Sequence, residues 1–152
     1  ATFTRKNGKS HFGFKGHIGA DETSLIVRRA AFTANVVNDS EAADGLISGD
    51  ERAVYADKAY PQKARRARLK AAGIKDRIMT RRHKHQPALD PRRARLNQLI
   101  ARRRAPVEGV FSCLKRIYGQ ARARCHSLER AAADFFAAVT VYNLTRAAKI
   151  TI

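Results

Sequence analysis

Acids are scarce in this sequence: 13 Asp and Glu stand against 31 Lys and Arg over 152 residues, a formal net charge of +18. Long apolar runs are missing too, none approaching the roughly 20 residues that a membrane span needs. The opening Ala1-Thr-Phe-Thr-Arg-Lys-Asn-Gly has no signal-peptide core. The expectation is a soluble, cytoplasmic protein with no membrane partner. Two cysteines, Cys113 and Cys125, make no disulfide framework and read as reduced. With no C-x-x-C and no matched His pair, His83, His85, Cys113, Cys125 and His126 lack the spacing of a zinc site. No Gly-rich phosphate loop follows a strand, so a nucleotide cofactor is not indicated.

Present instead is enough apolar sequence, 44% of residues, to bury the core of one domain spanning 1–152. The basic excess is uneven. Residues 61–104 carry 16 Lys and Arg against 2 acids, whereas residues 1–60 are balanced at 8 and 8. Self-repulsion at that density opposes a compact state unless a polyanion neutralises it, and the basic residues face no continuous apolar helical stripe as a membrane-surface helix requires. Nucleic acid is the expected partner.

The local patterns alternate between strand and helix. Residues 10–19 alternate apolar and polar with interspersed Gly, a bent or bulged strand on which His11 and His17 share a side as packed or surface residues. After a turn at Asp21-Glu-Thr-Ser, residues 25–34 make the second strand of an antiparallel hairpin. Asn38 to Ile47 offers a capped short helix, Ala53–Asp57 a short strand, and Pro61–Gly73 a helix opened by Pro and closed by Gly. Residues 74–80 read as a strand parallel to the previous one. Residues 81–95 read as a basic loop, with helix resuming near Ala94 and breaking near Pro106. A new helix then starts at Pro106, and a last long helix runs from Ser127 to Lys149. The order predicts an α/β fold, one mixed sheet covered by helices.

Two carboxylates stand out. Asp57 ends a short strand, the edge at which open α/β sheets bind ligands. Glu108, placed by this reading in a first helical turn, lies beside Val107, Val110, Phe111, Leu114 and Ile117, and Lys115 is two turns further along the same face. Spacing leaves two readings of Glu108, a helix-dipole complement paired with Arg104 or Lys115, or a metal ligand. Asp57 is likewise either a turn cap or salt-bridge partner of Lys58, or a ligand. Together the two suit Mg²⁺-assisted phosphodiester chemistry, because hard oxygen donors suit that ion. Cys113 as a nucleophile has no identifiable base.

The runs Gly8-Lys-Ser-His-Phe-Gly-Phe-Lys-Gly-His-Ile-Gly-Ala-Asp21, Thr33-Ala-Asn-Val-Val-Asn-Asp-Ser40, Val54-Tyr-Ala-Asp-Lys-Ala-Tyr60, Val107-Glu-Gly-Val-Phe-Ser-Cys-Leu-Lys-Arg-Ile-Tyr-Gly119 and Val141-Tyr-Asn-Leu144 cover nearly the whole chain. They resemble the catalytic domain of bacterial insertion-sequence transposases of the insertion-sequence five family. The resemblance implies a ribonuclease H-like fold, and a DDE triad binding Mg²⁺ (or Mn²⁺) for strand cleavage and transfer at transposon ends and target DNA in the bacterial nucleoid. It places the second triad Asp at Asp57 and the Glu at Glu108, with Lys115, Arg104, Arg116 and Lys58 contacting DNA or ordering Glu108. The family's usual Tyr three residues before Arg104 is replaced by Ala101.

The family's first triad Asp lies upstream of the Gly-Lys-Ser-His-Phe motif, and no aspartate precedes Asp21 here; Asp21 and Asp39 match turn positions instead. The expectation is a fragment missing its central first strand, marginal, oligomeric or repaired by Ala1 to Lys6 pairing at the gap, inactive by itself, with a second copy or full-length transposase as its protein partner. The rival reading is a non-catalytic DNA-binding remnant that inhibits transposition.

Overall fold

The computed structural model describes residues 1–152 except Asn7, His83, Lys84 and Ile152. His83, considered above for zinc, lies outside the described residues. Ten elements follow in order: β1 (Thr2–Lys6), β2 (Lys9–Ala20), β3 (Val27–Ala34), α1 (Asp39–Ala42) continuing into a 3-10 turn (Ala43–Leu46), β4 (Ala53–Ala56), α2 (Lys63–Ala71), β5 (Lys75–Ile78), α3 (Pro91–Arg116) and α4 (Leu128–Thr151).

The strands form two sheets among the described residues, rather than the single mixed sheet expected. One is antiparallel in the order β1-β2-β3, and the other is the parallel pair β4-β5. β2 is shared in halves: Lys9–Gly13 pair with β1, and Phe14–Ala20 pair with β3. The expected irregularity appears as a register shift between Gly19 and Ala20. Thr2–Lys6 does add a strand, but to β2 and not beside β4. The hairpin turn is held by Asp21, whose Oδ1 accepts from the Thr23 and Ser24 main-chain N–H groups and from the Ser24 hydroxyl.

The parallel unit β4-α2-β5 matches the reading of residues 53–80. α2 presents Leu69 to Ile74 and Ile78 in a small core that Val54, Ala56 and Tyr60 border. The larger core lies between the antiparallel sheet and the last two helices, with Val27, Val110, Leu114, Phe135, Ala138, Val139 and Tyr142 at its centre. On β2 the inward face reads Phe14, Gly16, Ile18. Gly16 is a close approach, since a Cβ there would stand 2.6 Å from the Phe135 ring. α4 is further fixed by Asn143, whose amide donates to the Val27 carbonyl and accepts from the Val27 N–H, both at 2.8 Å.

α3 departs most from expectation. It starts at Pro91, capped by the Asp90 side chain, and runs 26 residues without a break through Pro106, a length of about 39 Å. Arg92 and Arg93 main-chain N–H groups donate to Asp90 Oδ1, which satisfies donors that the sequence reading had assigned to a loop. Pro106 removes one helical hydrogen bond but does not end the helix, because Ile100 on one side and Val110 and Leu114 on the other are buried. Glu108 therefore lies deep inside a long helix and not in a first turn. The helix-dipole reading of its position falls with that correction.

Candidate functional site

β4 delivers Asp57 at its carboxyl end, into a tight turn in which the Tyr60 N–H donates to the Asp57 carbonyl at 3.1 Å. Asp57 is half-buried, and its Oδ1 accepts the Lys58 N–H at 2.6 Å. α3 packs against β4. Arg104 donates to Glu108 Oε1 at 3.1 Å, one turn apart on the helix. The Glu108 side chain is 69% exposed.

Tyr60 closes the Asp57 turn. Burial pushes its phenol above the ordinary range, the nearby Asp39 charge adds to the rise, and Arg104 opposes it; the charges of Asp57 and Arg65 also reach the ring. One tyrosine thus feels both the turn that carries Asp57 and the arginine that holds Glu108.

Arg65 fixes the same turn from beneath. It is 2% exposed, and its guanidinium donates to the Tyr60 and Ser40 carbonyls and, at 2.6 Å, to Asp44 Oδ1. The Arg65 hydrogen bond, helped by Arg68, holds the Asp44 carboxyl below the usual carboxylate range. α1, α2 and the Asp57 turn are thereby joined at one buried cation. Sequence reasoning passed over Tyr60 and Arg65 as site residues. The available signal was that Arg65 shares a helix face with Leu69, one turn on, where an apolar residue would be expected.

Lys115 and Arg116 occupy the last turn of α3 and are exposed, as is Lys58 beside Asp57. Arg103 reaches across to Glu22 in the β2–β3 turn. Arg92, Arg93, Arg95 and Arg102 line exposed parts of α3, so the basic segment is helical from Pro91, three residues earlier than expected, and the loop reading holds for the described residues between β5 and α3.

Asp57 and Glu108 carry the hard oxygen donors that Mg²⁺ takes, an ion that binds few protein carboxylates and keeps several waters. Among the described residues no three His, Cys, Asp or Glu side chains gather closely enough to share an ion, and no helix is long and apolar enough to cross a membrane. His17 belongs to the fold: it is buried, its Nε2 is 2.9 Å from the Thr33 hydroxyl, and desolvation lowers its pKa from 6.5.

The sequence pattern of the transposase DDE domain matches residues 1–144. No solved structure matches the chain.

Proposed function

The chain belongs to the transposase DDE-domain family, whose activity is the cleavage and transfer of DNA strands, and from that premise we propose a division of labour among its residues. Asp57 and Glu108 are carboxylates of the catalytic centre, in a ribonuclease H-like domain of the insertion-sequence five type. They would hold Mg²⁺ or Mn²⁺, which when bound stabilises charge on the phosphodiester and activates the attacking hydroxyl. Arg104 holds Glu108 in one orientation on α3. Lys58, Lys115 and Arg116 meet phosphates on either side of that centre, and the exposed arginines of α3 extend the track along transposon-end or target DNA. A further carboxylate, from a strand added next to β4 or from a second subunit, would complete the ligand set.

The observation that carries this reading is the Arg104–Glu108 ion pair on α3, the helix packed against the strand β4 that ends at Asp57. It is tested by Mn²⁺ calorimetry and DNA anisotropy on the purified chain. The expected result is binding of both, with Asp57→Asn and Glu108→Gln each losing Mn²⁺ affinity while duplex affinity holds. A chain that binds neither Mn²⁺ nor DNA overturns it.

A second reading, a DNA-binding fragment that competes at transposon ends without cutting, draws support from the exposed arginines of α3, which meet phosphates whether or not a metal centre is complete. Under that reading Asp57→Asn leaves the effect on transposition in cells unchanged.

A further inference from the structure

The inward face of β2 outruns the helix that covers it. Phe14 is roofed through Phe32 and Phe135, in ring contacts of 5.4 and 5.1 Å. Two residues earlier on the same face, Phe12 lies beyond the start of α4 at Leu128 and meets His126 of the preceding loop, ring centroids 6.0 Å apart. Phe3, directly opposite Phe12 in the β1–β2 register, stacks on it at 4.7 Å and 47°. Phe3 is 71% exposed and Phe12 49%, so most of one ring and half of the other face solvent.

The loop that brings His126 to this patch is basic. Arg122, Arg124 and His126 are exposed in it, and Glu129 and Arg130 follow, also exposed, in the first turn of α4. The two segments that build the patch, residues 1–20 and 109–128, contain no Asp or Glu. An apolar protein partner has no use for such a loop, and a second copy would bring its own +18 against it. Exposed π-faces beside a basic loop suit an unstacked base with its phosphates on the cations, whatever the base.

We propose that Phe3, Phe12 and His126 form a stacking platform for unpaired bases of a single-stranded DNA segment, adjoining the duplex held along α3. The proposal rests on the DNA-binding reading above and adds to it a site for single strands, lying on β1, β2 and the α3–α4 loop and away from Asp57 and Glu108.

The test compares a blunt duplex with the same duplex carrying a single-stranded tail, by anisotropy, on the purified chain. The wild type is expected to prefer the tailed form. The double variant Phe3→Ala/Phe12→Ala is expected to lose roughly 5- to 100-fold on the tailed form, the loss of about one stacked base, with blunt-duplex affinity unchanged. Phe3→Tyr/Phe12→Tyr keeps the preference, because the π-faces remain. A 5-iodouracil in the tail is expected to photocross-link to this patch.

Equal weakening on both DNAs, or no change on either, overturns the platform while leaving the duplex reading intact. A change in sedimentation behaviour of the alanine variant with tail preference retained overturns it in favour of a protein contact. A wild type that binds neither DNA overturns both readings together.

Discussion

Glu108 lies one helical turn beyond Arg104 on α3, and the 3.1 Å ion pair between them straddles Pro106, which leaves the Arg102 carbonyl without its helical donor. An ion pair this exposed contributes little to stability. Its effect is local, fixing the carboxylate where the helix ladder is interrupted.

Glu108→Gln should therefore be close to silent for folding, within about 0.5 kcal/mol as for other surface substitutions. Urea unfolding checks that the midpoint is unmoved, and Mn²⁺ calorimetry on the same sample checks that metal affinity is lost. A variant that loses stability and metal together would mark Glu108 as structural.

Arg65 should behave in the opposite way. Arg65→Met leaves the Ser40 and Tyr60 carbonyls without their donor and Asp44 with Arg68 alone, an expected loss of about 2–4 kcal/mol at partial burial. Arg65→Lys, a point charge in place of a fork, should recover only part of it. Denaturant midpoints of the three proteins give the order wild type, Lys, Met.

His17 sets a pH dependence. Its folded pKa is below the unfolded value of 6.5, so as pH falls through about 6.5 the unfolded chain takes the proton first and stability declines. The contribution is fully present above pH 6.5. His17→Gln should flatten the slope of the urea midpoint between about pH 5 and 7 while the wild type keeps it.

DNA affinity should fall steeply with salt, because each neutralised phosphate releases counterions. Replacing an exposed arginine of α3, such as Arg102, with Ala should weaken binding without regard to sequence and reduce the slope of log affinity against log salt by about 1. A response flat from low to moderate salt would remove the electrostatic basis of the reading.

Local chemistry made much of the fold legible. The hairpin of β2 and β3, the bulge, and the β4-α2-β5 unit follow from alternation and from the Pro61 and Gly73 brackets, all short-range signals. α3 was misread because Pro106 is a local breaker, while the burial that overrides it at Ile100, Val110 and Leu114 is tertiary. The division into two sheets depends on pairings that no single stretch encodes. The place of Asp57 at the end of β4 and the one-turn pairing of Arg104 with Glu108 were readable. Arg65 was not, since its partners Asp44 and Ser40 lie 21 and 25 residues away.

The docking of α4 through Asn143 has a result beyond attachment. The Ile26 carbonyl accepts from Asp21 on the hairpin side, so the main-chain groups of Val27, one residue on, face away from β2, and those are the groups Asn143 occupies. The amide imitates the next strand and stops the ladder there. Without it, β3 would begin with an open donor and acceptor beside a β-branched residue, an invitation to intermolecular strand pairing and aggregation. One asparagine thus seals an edge.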